Sequence, residues 1–161
     1  MPKGLGGITL ERGGRCLDVA CGLGEQSLWA AHQGFDVVAL DSSGVAITAL
    51  NSAALSAGVR DRIDSRVVDL DDGFPMELTD AFALVICQRF RDPELYEPLV
   101  YALESGGVIV VTVLSQVGLD GEPGPFHAPP GDLVCAFRQF DVDILRSVEL
   151  DGEATLVARR R

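Results

Sequence analysis

The stretch Cys16-Leu17-Asp18-Val19-Ala20-Cys21-Gly22-Leu23-Gly24-Glu25-Gln26-Ser27 places an acid inside a short apolar run, then two glycines one residue apart. Glycine tolerates backbone angles that a Cβ forbids, so Gly22-x-Gly24 lets the chain turn sharply and pass close to a ligand. If a helix starts there, its free N–H groups favour an electron-rich ligand group. The dinucleotide pattern Gly-x-Gly-x-x-Gly is not met, because the residue three after Gly24 is Ser27. A carboxylate at Asp18 is also a poor neighbour for a pyrophosphate and a reasonable one for a cationic, amine-bearing ligand. A second acid, Asp41, closes the next apolar run, Val37-Val38-Ala39-Leu40. There a carboxylate can accept both hydroxyls of a ribose. Each feature has a plainer use: a tight turn without ligand for the glycines, and a helix N-cap for Asp41, which Ser42 or Ser43 could serve instead.

These residues need a scaffold, and the chain supplies one by alternation. Apolar strand-like runs at 16–20, 36–40, 64–68, 82–87 and 107–113 are separated by helical patterns at 23–33, 43–57 and 92–104. Most of the runs lack polar alternation, as central parallel strands do, and the sequence therefore predicts a parallel sheet covered by helices on both faces. In the second helix the stripe is Ala46, Ala49, Leu50, Ala53 and Ala57, capped by Ser42 or Ser43 and closed by Gly58. In the third it is Leu95, Leu99, Ala102 and Leu103, with Gly106-Gly107 as the stop. Residues 116–131 are rich in Gly, Pro and Asp, a length that suggests a lid or binding loop. A short helix follows, opened by Pro129-Pro130-Gly131-Asp132 and running to about Arg138. Asp151-Gly152 then joins runs 140–150 and 154–159 as an antiparallel hairpin. The whole reads as one domain over residues 1–161.

Composition narrows the partners. With 13 Lys and Arg against 24 Asp and Glu, the net charge of −11 repels phosphate backbones, so nucleic acid is not an expected partner. No apolar run approaches the length of a membrane span, and residues 1–8 hold no signal-peptide core, which suggests a cytoplasmic protein with no membrane partner. Cys16, Cys21, Cys87 and Cys135 form no Cys-x-x-Cys pair and no zinc spacing; reduced, packed thiols and no metal are expected.

The segments Leu-Asp-Val-Ala-Cys-Gly-Leu-Gly-Glu-Gln-Ser and Gly-Phe-Asp-Val-Val-Ala-Leu-Asp-Ser-Ser resemble the first two motifs of class I S-adenosylmethionine-dependent methyltransferases. The Ala-Cys-Gly variant and the Pro-Gly-Asp-Leu segment look most like the small tellurite-resistance-type subgroup. The resemblance implies an α/β, doubly wound sheet of seven strands, the last antiparallel, with S-adenosyl-L-methionine at its carboxyl edge. Carried over, Gly22 and Gly24 border the methionine and ribose parts, flanked by Ala20 and Cys21. Asp18 lies beneath the amino-acid end, Asp41 with Ser42 holds the ribose, and Asp69-Leu70 meets the adenine. Cys87-Gln88-Arg89-Phe90 falls where the methyl-accepting pocket begins. Relatives of the subgroup carry more residues before the first strand; here about fifteen precede Cys16, five of them glycine.

The expected activity is methyl transfer to a small-molecule acceptor. A sulfonium methyl is already activated, so alignment and dryness suffice and no fixed catalytic residue is named. Arg89 and His127 are the candidate acceptor residues, the first as an isolated cation and the second as a loop base; a surface charge and an ordinary loop histidine are the plainer uses. Two other functions stand beside this one: a silent cofactor-binding or regulatory subunit, and a nicotinamide-dependent oxidoreductase, which Ser27 and Asp18 disfavour.

Overall fold

A computed structural model of the chain describes residues 1–10 and 13–161. Seven strands, β1 (Arg15–Val19), β2 (Asp36–Asp41), β3 (Ile63–Val67), β4 (Phe82–Gln88), β5 (Leu103–Leu114), β6 (Val142–Leu150) and β7 (Glu153–Arg160), form one sheet ordered β3-β2-β1-β4-β5-β7-β6. Neighbouring pairs are parallel from β3 to β5, whereas β7 pairs antiparallel with both β5 and β6. The expected C-terminal hairpin is present. Asp151 and Gly152 both have positive φ (51° and 75°), the primed-turn geometry that two-residue hairpins favour. In space β7 slots between β5 and β6, so it alone runs against the other six.

The helices are α1 (Glu25–His32), α2 (Gly44–Ser56), α3 (Tyr96–Ala102) and α4 (Asp132–Phe137). Two apolar clusters, one on each face of the sheet, make the core. One joins Tyr96, Leu99 and Phe137 from α3 and α4 to β4, β5 and β7; the other joins Ala30, Ala31, Leu50 and Ala54 from α1 and α2 to β1, β2 and β4. Leu5 belongs to the second cluster, with Val108, Val110 and Val157, so the segment before β1 extends that layer over β5 and β7.

Two expected helix boundaries and one buried face moved. The helix expected at 23–33 starts at Glu25, because Gly24 is still in the left-handed region (φ 82°) as its N-cap. The buried face of α2 is Ala46, Ile47, Leu50 and Ala54 rather than the stripe through Ala49, Ala53 and Ala57. Thr48, Ser52 and Ser56 lie on its exposed side, and Ile47 is buried where Ala49 was expected to be. The third helix ends at Ala102, and Leu103 already pairs with Phe82 in β5. Gly106-Gly107 therefore lies inside a strand. A Cβ on Gly107 would sit 2.7 Å from the Phe82 carbonyl oxygen, and the β4–β5 register shifts there between Phe82 and Leu84, so the glycines serve an irregularity instead of a helix stop.

Candidate active site

The order β3-β2-β1-β4 reverses chain direction beside β1, and the crevice at the carboxyl ends of such strands is where open α/β sheets bind ligands. Two depressions meet there at Ala20. The larger, about 630 Å³, is lined by residues that include Asp18, Ala20, Cys21, Gln26, Gln88 and Arg89. The smaller, about 220 Å³, is lined by Ala20, Asp41, Ser42, Val68, Asp69, Leu70, Asp71 and Phe90. Seven of the ten expected cofactor residues stand on these walls: Asp18 and Cys21 on the larger, Asp41, Ser42, Asp69 and Leu70 on the smaller, and Ala20 on both.

The turn after β1 is built tightly. Ala20 has φ 53°, rare for a residue with a side chain, and the next amide, Cys21 N–H, donates to the Leu40 carbonyl at 2.9 Å. Gly22 follows at φ 54°, with open space where a Cβ would lie. Gly24 is different: at φ 82° a Cβ would come within 2.2 Å of Leu50 Cδ1. Leu50 is fully buried, so the second glycine is required by the packing of α1 on α2. Neither glycine is among the residues lining the depressions.

Asp41 ties this turn to the next one. Its Oδ2 accepts the Gly22 N–H and its Oδ1 the Ser43 N–H, both at 2.8 Å. The cap of α2 falls to Ser43, whose hydroxyl accepts the Ala46 N–H at 3.2 Å. Each carboxylate oxygen of Asp41 keeps a lone pair for a further donor. Asp69 caps a single turn at Leu70–Asp72 by accepting the Asp71 N–H at 3.1 Å, the turn use of that acid.

Asp18 is almost wholly buried and accepts the Ser27 hydroxyl at 2.5 Å. Burial pushes its carboxyl up to about 7; the Ser27 hydrogen bonds pull it back and the Asp41 charge adds to the rise. Burial, with Asp18 next, also pushes the Cys21 and Cys87 thiols up to about 12, so both stay protonated near neutrality. Cys87 lies in the core with its thiol 3.6 Å from the Phe90 carbonyl, behind the wall instead of on it. His127 lies outside both depressions, its Nδ1 at 3.0 Å from Gly124 N within its own loop. Arg89 does reach the larger cavity. It also has positive φ (59°), and its N–H donates to the Thr112 carbonyl at 2.7 Å.

Other wall residues had no individual role in the sequence reading, Gln26, Gln88, Lys3 and Glu153 among them. Gln26 Oε1 and Gln88 Nε2 are buried with no hydrogen-bond partner among the described residues. Buried polar atoms are nearly always paired, and both of these unpaired ones belong to side chains that line the larger cavity. Lys3 and Glu153 close the same cavity from the far ends of the chain.

The family profile described as a methyltransferase domain matches residues 16–107, which hold β1 through the glycines of β5. The chain belongs to the methyltransferase domain family. This agrees with the motif resemblance, and the protein is a class I, S-adenosylmethionine-dependent methyltransferase. Among solved structures, an S-adenosylmethionine-dependent methyltransferase from Mesorhizobium loti superposes with a TM-score of 0.75 at 20% identity, covering 97% of this chain and 95% of that one. TehB from Haemophilus influenzae gives 0.76 at 18% identity over 98% of this chain and 60% of its own. The [4+2]-cyclase SpnF gives 0.75 at 18% identity, covering 94% and 76%. These likenesses are of fold; the same scaffold carries the cyclase. A comparison with curated protein sequences found no match. Among the described residues no helix is long and apolar enough to cross a membrane.

Proposed function

We propose that this methyltransferase holds S-adenosyl-L-methionine across the two depressions and moves its methyl group to a small molecule seated in the larger one. The observation that carries the reading is the pair of depressions meeting at Ala20, one bearing Asp41 and the other Asp18 with the unpartnered Gln26 and Gln88 amides. Asp41 keeps acceptor capacity for ribose hydroxyls, with Ser42 beside it. Leu70 offers an apolar wall and Asp69 a polar edge for the adenine. Asp18 lies under the amino-acid end, joined by Ala20 and Cys21, while Gly22 leaves its side-chain space open for the ligand's approach. Gly24 and Cys87 shape the site from behind.

When bound, the cofactor supplies a sulfonium methyl open to in-line displacement by a lone pair of the acceptor. The chain's residues orient the two partners and keep water out, which is what such a displacement needs. A cavity of about 630 Å³ suits a small molecule, and the charge of −11 opposes a nucleic-acid acceptor. Arg89 is the cation on the acceptor side. His127, turned into its own loop, is no part of this arrangement.

Calorimetric titration with S-adenosylhomocysteine tests the cofactor site, and turnover of S-adenosylmethionine against paired acidic and neutral acceptors tests transfer. Binding without turnover on any acceptor would favour a silent binding subunit, and binding of NADH in place of S-adenosylhomocysteine would favour an oxidoreductase.

A further inference from the structure

Residues 3–6 are pinned at several points. Leu5 is buried in the core, and Gly4 lies so close to β7 that a Cβ would meet Thr155 Cγ2 at 2.6 Å. Arg146 Nη1, on β6, donates to the Gly4 and Gly6 carbonyls at 2.6 and 2.8 Å. Lys3 is held between these anchors and Met1, which also touches the cavity, and its ammonium donates to Glu153 Oε2. From the other side Arg89 places Nε and Nη2 at 2.8 and 2.7 Å from Glu153 Oε1. Three elements distant in sequence thus converge on one wall of the larger cavity: the N-terminal segment, the end of β4 and the start of β7.

Two cations share one carboxylate, so the cluster carries one uncompensated positive charge (Lys3 and Arg89 against Glu153) in a protein of net charge −11. Both oxygens of Glu153 are engaged by the cations, whereas Lys3 keeps two donors and Arg89 keeps Nη1 and the remaining Nη2 hydrogen. Arg89 is largely exposed, and an exposed ion pair is cheap to loosen. Glu153 is held ionised by Lys3 above all and then by Arg89, with burial opposing, so it fixes the cations instead of taking protons.

We propose that Lys3 and Arg89 form an anion clamp for the methyl acceptor, that Glu153 is the internal carboxylate that occupies them and competes with it, and that the acceptor bears a carboxylate. The proposal rests on the reading of this cavity as the acceptor side of the methyltransferase site. One negative charge neutralises the Lys3–Arg89–Glu153 cluster itself, and Glu25 and Asp18 on the same cavity oppose a second. Arginine's planar fork suits a carboxylate in two-point contact.

The probe is benzoate, with benzamide as its neutral match, titrated calorimetrically into the full chain saturated with S-adenosylhomocysteine. Benzoate should bind at least tenfold more tightly than benzamide. Lys3→Met and Arg89→Gln should each weaken benzoate tenfold or more and change S-adenosylhomocysteine affinity by less than twofold. Glu153→Gln should tighten benzoate at least threefold, because it removes the internal competitor; a merely structural role would weaken it or leave it unmoved. Equal affinity for both probes, no binding of benzoate, or no tightening in Glu153→Gln would overturn the clamp. So would a loss of S-adenosylhomocysteine affinity equal to that of benzoate in the cation variants, since the cations would then hold the cofactor's own carboxylate. Failure of the unaltered protein to bind S-adenosylhomocysteine at all would sink the cofactor reading, and the clamp with it.

Discussion

Replacing Gly24 by alanine should cost far more stability than replacing Gly22, although both occupy one short turn at positive φ. Gly22 sits at φ 54° with open space beyond its Cα, so Gly22→Ala carries only the left-handed penalty, about 1–2 kcal/mol. Gly24 carries the same penalty at φ 82°, and its new Cβ would lie 2.2 Å from Leu50 Cδ1 and 2.8 Å from its Cγ. Leu50 is fully buried and cannot swing away, so overpacking adds about 1–3 kcal/mol. The total for Gly24→Ala is about 2–5 kcal/mol, a large share of a typical stability of about 5–15 kcal/mol. For a chain of this size each kcal/mol lowers Tm by about 2–4 °C, so the two variants should separate clearly in thermal and urea unfolding. Leu50→Ala provides the internal control. Alone it should destabilise by about 2–5 kcal/mol; in the Gly24→Ala background it should cost less, because it removes the clash. Equal losses for the two glycine variants, or additive losses for Gly24→Ala with Leu50→Ala, would refute the packing account of Gly24.

Three further outcomes follow from the site. Asp41→Ala should weaken S-adenosylhomocysteine by roughly 10- to 150-fold in calorimetry, since hydrogen bonds to a charged acceptor contribute about 1.5–3 kcal/mol; unchanged affinity in a folded variant would remove the ribose assignment. Burial holds the Asp18 carboxyl at about 7 in the fold, above its ordinary 3.8, so the folded chain binds the extra proton, and the associated stability, complete below about 4, is lost as pH rises toward 7. Asp18→Asn should remove that fall, at most about 1.4 kcal/mol per pH unit, from urea-unfolding stabilities measured across the window. Limited alkylation followed by mass spectrometry should mark Cys135, the one exposed thiol, first, and reach the buried Cys16 and Cys87 only on unfolding; early labelling of Cys87 would contradict its place in the core.

The parts of the fold visible in the sequence were those written in local chemistry. Gly22-x-Gly24 between an apolar run and a helical pattern gave the first turn, and Asp151-Gly152 between apolar runs gave the hairpin. Gly106-Gly107 misled because glycine after a helical stripe reads as a stop, while the contact that requires it, the Phe82 carbonyl, is remote in sequence. In Ala-rich α2 the expected stripe shared Ala46 and Leu50 with the buried face, while Ile47 and Ala54 are buried in place of Ala49, Ala53 and Ala57. In the site, the acids stood out because each closes or interrupts an apolar strand. Gln26 and Gln88 did not, since an amide becomes informative only once it is known to be buried and unpaired. Lys3 and Glu153 lie 150 residues apart, and no pattern along the chain joins them.

β7 comes latest in sequence of the seven strands, yet it is an interior strand, seated between β5 and β6. Until residues 153–160 are made and inserted, β5 keeps an open edge and β6 has no neighbour. The segment at residues 1–10 waits as well, because Gly4 seats against Thr155 and Val157 of that same strand. Residues 1–10 and 153–160 therefore order together, as a late step of folding. Such long-range pairings form slowly and leave sheet edges exposed meanwhile. A nascent or partly unfolded chain can thus hold β1 to β4 with the Asp41 turn intact while the larger cavity still lacks its Lys3–Glu153 wall. Completion of that wall is a structural signature that both extremities of the described chain have folded.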